Sequence, residues 1–97
     1  NKIYERSMYF YKIQYYSMTN IEKYENAFVE ALEIKLEEVK GLEYQQIESW
    51  DSVGHMSLIA AIEDAFNIMM ETDDIIDFNS YDTGIEILKK YDIDMNK

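Results

Sequence analysis

Apolar residues recur at three- and four-residue steps after Thr19, which is the spacing of one face of an α-helix. Thr19 and Glu22 match a capping box, in which a hydroxyl and a carboxylate each bind a free backbone N–H of the first turn. Gly41 is suited to a C-terminal stop. The pattern therefore predicts a long first helix from near Thr19 to Gly41, with an inner face made of Ile21, Tyr24, Phe28, Leu32, Leu36 and Val39.

A loop over residues 42–51 separates this helix from a second one, predicted from about Ser52 to Phe66. A loop of that length in a small domain is expected to lie across the core with its spaced apolar residues buried, namely Leu42, Tyr44, Ile47 and Trp50. The second helix is expected to bury one stripe, made of Val53, Met56, Ile59, Ile62 and Phe66 and broadened by Leu58, Ala61 and Ala65.

A short acidic segment and a last helix complete the pattern. Thr72 is a predicted cap, Asp73 and Asp74 suit a first turn, and the apolar residues Ile75, Ile76 and Phe78 are expected to be buried. Asn79 or Ser80 is predicted to cap the last helix, with an inner face made of Tyr81, Ile85, Leu88 and Tyr91. No segment shows sustained strand alternation, so the fold class is all-α, a four-helix bundle with three longer helices, a short third helix and a long first loop.

Charge divides the chain of 97 residues into two parts. Residues 1–17 carry five tyrosines and a charge of +2, whereas residues 18–97 carry a charge of −13. Together they give the net charge of −11. We therefore expect a tyrosine-rich N-terminal extension at 1–17, either a non-native leader or an extension from an upstream start, and one acidic domain at 18–97. The extension is expected to be helical and to pack against another molecule, which predicts self-association.

Bulk composition excludes several classes of function. So small a domain buries a modest core, which disfavours an enzyme with a deep pocket of its own. The acidic surface repels nucleic acid and anionic lipid and favours partners with basic patches. Cysteine is absent, and no apolar run approaches the roughly 18 residues that span a membrane. The default expectation is a cytoplasmic protein.

The pair Asp51–Ser52 at the head of the second helix has three possible interpretations. Both residue types are preferred helix caps, so the pair suits a purely structural role. With His55 it suggests a hydrolase triad, but there is no G-x-S-x-G elbow, and a solvated first-turn histidine is the favoured interpretation. The third is covalent attachment of a phosphate group at Ser52, where the helix dipole favours an anion.

The stretch WDSVGHMSLIAAIEDAFNIMMETDDIIDFNSYDTGIEILKKY resembles a free-standing acyl carrier protein. In that family an Asp-Ser-aliphatic motif begins the second helix of a four-helix bundle, and Asp51, Ser52 and Val53 match it. The resemblance extends over residues 19–91. It implies that a phosphopantetheinyl transferase attaches 4′-phosphopantetheine from coenzyme A to Ser52, and that the arm then holds acyl intermediates as thioesters for partner enzymes. The protein itself would have no catalytic residue.

The chain departs from the family members of fatty acid biosynthesis just after the motif. Gly54, His55 and Ser57 stand where acidic or polar side chains are usual, and acidity returns only from Glu63 onward. The resemblance therefore implies a bacterial carrier of a specialised pathway in lipid or secondary metabolism, served by acyl-loading and acyl-processing enzymes. Its candidate partner contacts are His55, Met56, Glu63, Asp64, Asp73 and Asp74. The alternatives are an aminoacyl carrier of the same fold and an unmodified acidic helical module that binds a basic protein.

Several residues near the motif keep two interpretations. Gly54 either leaves room for the arm or a partner, or is tolerated slack that costs up to about 1 kcal/mol relative to alanine. The methionines Met56, Met69 and Met70 either line a cavity for an acyl chain or pack in the core, and packing is favoured. For Trp50, packing is favoured over framing the arm. The acidic stretch from Thr72 to Asp82 fails the EF-hand pattern, so no metal site is predicted.

Overall fold

The computed structural model describes residues 18–97, which form a small bundle of four α-helices. The predicted tyrosine-rich extension at 1–17 lies outside the described residues. The helices are α1 (Asn20–Leu32), α2 (Ser52–Phe66), α3 (Thr72–Asp77) and α4 (Tyr81–Lys89), with a 3-10 helix at Leu36–Glu38 between α1 and α2. Within the described range, the predicted helical class, the short third helix and the long first loop are confirmed.

The helix α1 begins as predicted and ends earlier. The side chain of Thr19 accepts from the N–H of Glu22, and Glu22 Oε1 accepts from the N–H of Thr19 at 2.9 Å. The helix stops at Glu33, which has a left-handed backbone with φ 56°. Leu36 therefore lies in the 3-10 helix and is exposed, so its predicted place on the inner face was wrong. Leu36 follows the three- and four-residue spacing of the apolar residues in α1, although it lies beyond the end of that helix. The spacing of apolar residues carries no information about a left-handed backbone at Glu33.

The core is built on aromatic rings contributed by α1, the first loop and the α3–α4 region. Phe28 is fully buried at its centre and lies 5.1 Å from Tyr24, 5.5 Å from Trp50 and 5.9 Å from Tyr81, measured between ring centroids. Burial raises the pKa of the Tyr24 hydroxyl, which donates to the carbonyl oxygen of Tyr81 at 2.7 Å. These contacts join α1 to α4, while α1 also packs directly against α2.

The loop between α1 and α2 is bound to the body of the domain, as predicted. Leu42 and Trp50 are buried, and Tyr44 and Ile47 are half-buried. The N–H of Tyr44 donates to the carbonyl of Asn79, and the N–H of Tyr81 donates to the carbonyl of Leu42. These two backbone bonds hold the middle of the loop against the start of α4.

The buried stripe of α2 is rotated relative to the predicted one. Leu58, Ile59 and Ile62 are buried, but Val53 is 73% exposed and Met56 is also exposed. The predicted burial of Val53 and Met56 was wrong. Almost every side of α2 carries apolar residues, so more than one face of the helix has the spacing of a buried stripe. The inward positions of the first turns belong instead to Gly54 and His55.

Gly54 is where the first loop passes closest to α2. A Cβ atom built on Gly54 would overlap the carbonyl oxygen of Ser49, and it would lie 3.3 Å from a methyl carbon of Leu32. The space beside Gly54 is therefore already occupied by the loop backbone. Neither predicted interpretation was right, since Gly54 is not slack and its missing side chain does not leave room for an arm.

We expect Gly54→Ala to destabilise the domain although alanine is the better helix former. The backbone of Ser49 cannot move aside cheaply, so overpacking of about 1–3 kcal/mol should outweigh a propensity gain of about 1 kcal/mol. Urea unfolding followed by circular dichroism measures the change. The control is Ser57→Ala at an exposed position of the same helix, which should be neutral or slightly stabilising. A Gly54→Ala protein as stable as the control would contradict the close approach.

The short helix α3 is held by one buried carboxylate. Asp74 is only 4% exposed and accepts from Lys90 Nζ at 2.5 Å and from the Tyr91 hydroxyl at 2.6 Å. The Tyr91 hydroxyl in turn accepts from the N–H of Glu71 at 2.9 Å. Asp74 is thus engaged inside the chain, which corrects its place among the partner contacts. Glu71, not Thr72, occupies the cap position.

The remaining predictions for α3 and α4 are confirmed in part. Phe78 is buried and Ile75 half-buried, but Ile76 is 71% exposed, against expectation. Ser80 caps α4 by accepting from the N–H of Thr83 at 3.0 Å. The buried face of α4 consists of Tyr81, Gly84, Ile87 and Leu88, with Ile85 and Tyr91 half-buried at its margin. Over residues 18–97, none of the helices has the length and apolarity that crossing a membrane requires.

Stability should depend on pH through Asp74. The hydrogen bonds from Lys90 and Tyr91 hold the pKa of the Asp74 carboxyl below its ordinary value. A carboxyl with a lowered pKa in the folded state stabilises the fold above its unfolded pKa of about 4 and loses that contribution as pH falls further. We therefore expect Asp74→Asn to lower the free energy of unfolding at pH 7, and expect the gap to wild type to shrink below about pH 4.

Urea unfolding at pH 7 and pH 3 checks this expectation, because urea is uncharged and does not screen the ion pair. The matched control is Asp73→Asn, an exposed carboxylate of the same turn, which should have little effect at either pH. A constant gap between wild type and Asp74→Asn at both pH values would show that the loss is not electrostatic.

Candidate functional site

Asp51 is the cap of α2. Its Oδ1 accepts from the N–H of Gly54 at 2.8 Å, and its carbonyl accepts from the N–H of His55 at 2.8 Å. The backbone of Asp51 is extended, with φ −105° and ψ −167°, so helical geometry begins only at Ser52. The sequence did not decide whether Asp51 or Ser52 caps α2, and the structure shows that Asp51 is the cap.

Ser52 is the first residue of α2, and its side chain is exposed. Among residues 18–97, none forms a hydrogen bond with its hydroxyl, and none accepts from the backbone N–H of Ser52 or Val53. The first amides of a helix carry the positive end of its dipole. The Ser52 hydroxyl thus stands in solvent beside two free donors and is not needed for the cap.

His55 lies one turn further and is bound on both ring nitrogens. Nδ1 accepts from the indole N–H of Trp50 at 3.0 Å, and Nε2 donates to the carbonyl oxygen of Ile75 at 2.8 Å. An indole N–H can only donate and a carbonyl can only accept, so these partners require the neutral imidazole with its proton on Nε2. The histidine is half-buried, which corrects the expectation of a solvated side chain.

This geometry removes the hydrolase interpretation of Ser52 and His55. A general base needs a nitrogen free to accept the serine proton within hydrogen-bond reach. Nδ1 is used by Trp50, and Nε2 carries its proton toward Ile75. His55 is therefore a connector between the first loop, α2 and α3.

Trp50 fixes the backbone that leads into the site. It is fully buried, packs edge-on to Phe28 and Tyr44 with interplanar angles of 86°, and stacks on the His55 ring at 6.2 Å. The packing interpretation of Trp50 is confirmed. Because Trp50 directly precedes Asp51, its burial holds the cap and the start of α2 in place.

The exposed face of α2 that follows Ser52 is apolar. Val53, Met56 and Ala60 share one exposed face of α2 by their helical spacing, and no charged residue lies in α2 before Glu63. The bond from His55 to the Ile75 carbonyl brings the backbone of α3 beside the first turns of α2, and the next residue of α3, Ile76, is exposed.

The predicted acidic contacts divide into exposed and internal groups. Asp64 and Asp73 are exposed. Glu63 is half-buried, and its Oε2 accepts from the N–H of Met70 at 2.9 Å, so it serves the α2–α3 connection. Among the methionines, Met70 is buried, whereas Met56 and Met69 are exposed, with Met69 at 83%. The favoured core packing is thus confirmed for Met70 and was wrong for Met56 and Met69, which line no interior cavity either.

A cleft of about 690 Å³ lies at the other end of the bundle. It is formed where α1 begins and α2 ends, and its aliphatic and phenyl side chains are those of Ala65, Phe66, Ile68 and Ile93. At 1.5 Å per residue, the length of α2 separates it from Ser52 by about 20 Å. Over the described range, no group of three or more histidine, aspartate or glutamate side chains is placed to hold a metal ion.

The comparisons with known proteins add no family to this geometry. Neither the family models, nor the curated proteins, nor the solved structures include a match to the chain.

The bond from Trp50 to His55 should couple the first loop to α2 energetically. His55→Leu leaves the indole N–H and the Ile75 carbonyl without partners, so we expect a loss of about 1–3 kcal/mol in the free energy of unfolding. Trp50→Phe removes the donor from the other side. Because the two side chains share the bond, the double variant should lose less than the two single losses added together, by about 0.5–3 kcal/mol.

A double-mutant cycle by urea unfolding measures this coupling. The control cycle pairs His55→Leu with Lys89→Ala, whose side chain makes an exposed ion pair with Glu86 on α4. That pair should be additive within about 0.5 kcal/mol. Additivity of the Trp50 and His55 variants would contradict the bond.

Proposed function

We propose that the protein is an acyl carrier that bears 4′-phosphopantetheine on Ser52. The observation that carries the proposal is the division of roles at the start of α2. Asp51 supplies the cap, so the exposed Ser52 hydroxyl has no structural task that the described contacts reveal. The resemblance of the Asp51–Ser52–Val53 motif to the carrier family gives that hydroxyl a chemical role.

The residues around Ser52 suit a phosphodiester. The free N–H groups of Ser52 and Val53 and the helix dipole favour an anion at this point. The nearest carboxylate in the sequence, that of Asp51, accepts a hydrogen bond from the N–H of Gly54, which partly compensates its negative charge. In the attachment step, Ser52 Oγ would lose its proton and bond to phosphorus, and the nucleotide part of coenzyme A would leave. Once attached, the arm would supply a thiol that carries an acyl group as a thioester.

The exposed face beside Ser52 supports a particular kind of partner. A phosphopantetheinyl transferase and the later acyl-processing enzymes would meet the exposed side chains of Val53 and Met56, which follow the serine by one and four residues on α2. Basic patches on these enzymes would face the exposed carboxylates of Asp64 and Asp73. The uncharged first turns of α2 favour a carrier of a specialised pathway over one of general fatty acid synthesis.

Intact-mass measurement after incubation with coenzyme A and a broad-specificity phosphopantetheinyl transferase tests the proposal. We expect the wild-type chain to gain one phosphopantetheine, mapped to Ser52 by peptide fragmentation. Ser52→Ala should gain nothing while keeping the wild-type circular dichroism spectrum and nearly the wild-type stability, because Asp51 remains the cap.

The matched control is Ser57→Ala, which removes another exposed serine of the same helix and should still be loaded. Loading of Ser52→Ala would refute attachment at Ser52. An unloaded wild type, with the transferase active on a control carrier, would refute the carrier function and favour the unmodified acidic module that binds a basic protein.

A further inference from the structure

We infer that the acyl group carried at Ser52 is short or polar and stays at the surface of the bundle. The inference rests on the proposed function, since it concerns the cargo of the same serine. Its basis is the packing beneath Ser52, where the first turn of α2, the first loop and α3 meet.

The interior at this end of the bundle is filled by rings in mutual contact. The His55 ring lies 5.6 Å from Tyr44, 6.2 Å from Trp50 and 6.1 Å from Phe78, measured between centroids. Trp50 and Phe78 are buried, as is Leu58 of the next turn of α2. An alkyl chain entering between α2 and α3 beside Ser52 would therefore have to displace aromatic side chains.

Two sets of polar contacts oppose such a displacement. His55 ties α2 to the Ile75 carbonyl on α3 and to the Trp50 indole in the loop. Asp74 ties the same short helix to Lys90 and Tyr91. Moving α3 away from α2 would break the first set and strain the second, and each broken bond would leave a polar group without its partner.

The side chains best able to adapt do not lie in this interior. Methionine repacks easily around an inserted group. Met56 and Met69 are exposed, and Met70 is buried beside Glu63, toward the other end of α2. A long alkyl chain on the arm would find no interior site at this end of the bundle and would keep most of its area exposed to water, which is unfavourable in proportion to that area. A short or polar acyl group avoids that cost.

The test attaches alkyl chains of different length at position 52 and measures the thermal unfolding midpoint. The chain has no cysteine, so Ser52→Cys provides a single thiol for N-ethyl and N-dodecyl iodoacetamide. Ser57→Cys, on the outer face of the same helix, receives the same two labels as the control. We expect the difference between dodecyl and ethyl labels to be the same at both positions, with unchanged Trp50 fluorescence.

A dodecyl label that raises the midpoint at position 52 alone would overturn the inference. If most of its methylenes were buried, the selective rise should be roughly 10 °C or more for a domain of this size. Alkylation needs no transferase, so this result is independent of the loading experiment. Failure of the wild-type chain to be loaded would refute the carrier function. Successful loading together with a rise in the midpoint for the dodecyl label at position 52 alone would refute only the inference that the acyl group is short or polar.

Discussion

The hydrogen bond from the Trp50 indole to His55 is the contact on which the arrangement around Ser52 depends. It spans five residues of sequence, yet it joins the end of the first loop to the first turn of α2 at 3.0 Å. Through its other nitrogen, His55 also reaches α3 at Ile75. The first loop, α2 and α3 are thereby joined through a single imidazole. Trp50 also connects this arrangement to the core, because its ring packs edge-to-face with Phe28 of α1.

Asp51 and Gly54 complete this arrangement from the backbone side. Asp51 closes the amino end of α2 by binding the N–H of Gly54, and Gly54 lets the carbonyl of Ser49 approach the helix. A side chain at Gly54 would push the loop away and with it Trp50. The cap, the glycine and the indole–imidazole bond are therefore parts of one joint. Ser52 lies between Asp51 and Gly54 in the sequence, but its side chain is exposed and takes no part in these contacts.

Local signals in the sequence were enough to locate most helix boundaries. The capping box at Thr19, the cap at Ser80 and the extent of α2 each follow from residues within one turn of the boundary. The end of α1 did not follow, because the left-handed backbone of Glu33 has no residue signature such as glycine. The inward turn of His55 also escaped prediction, because its two partners come from the loop and from α3. A hydropathy pattern scores imidazole as polar and cannot anticipate that both nitrogens will be satisfied.

The candidate site shows the same division between local and long-range information. The motif Asp51–Ser52–Val53 pointed to the serine, and the cap geometry explains why that serine is available. The exposure of Val53, Met56 and Ile76 could not be predicted, because apolar spacing alone does not determine which face of a broadly apolar or very short helix is buried. The bonds of His55 and Asp74 join α2, α3 and the end of α4 around an interior that aromatic rings fill. The exposed apolar face and the filled interior belong to the same first turns of α2, so a change that opened the interior would also alter that face.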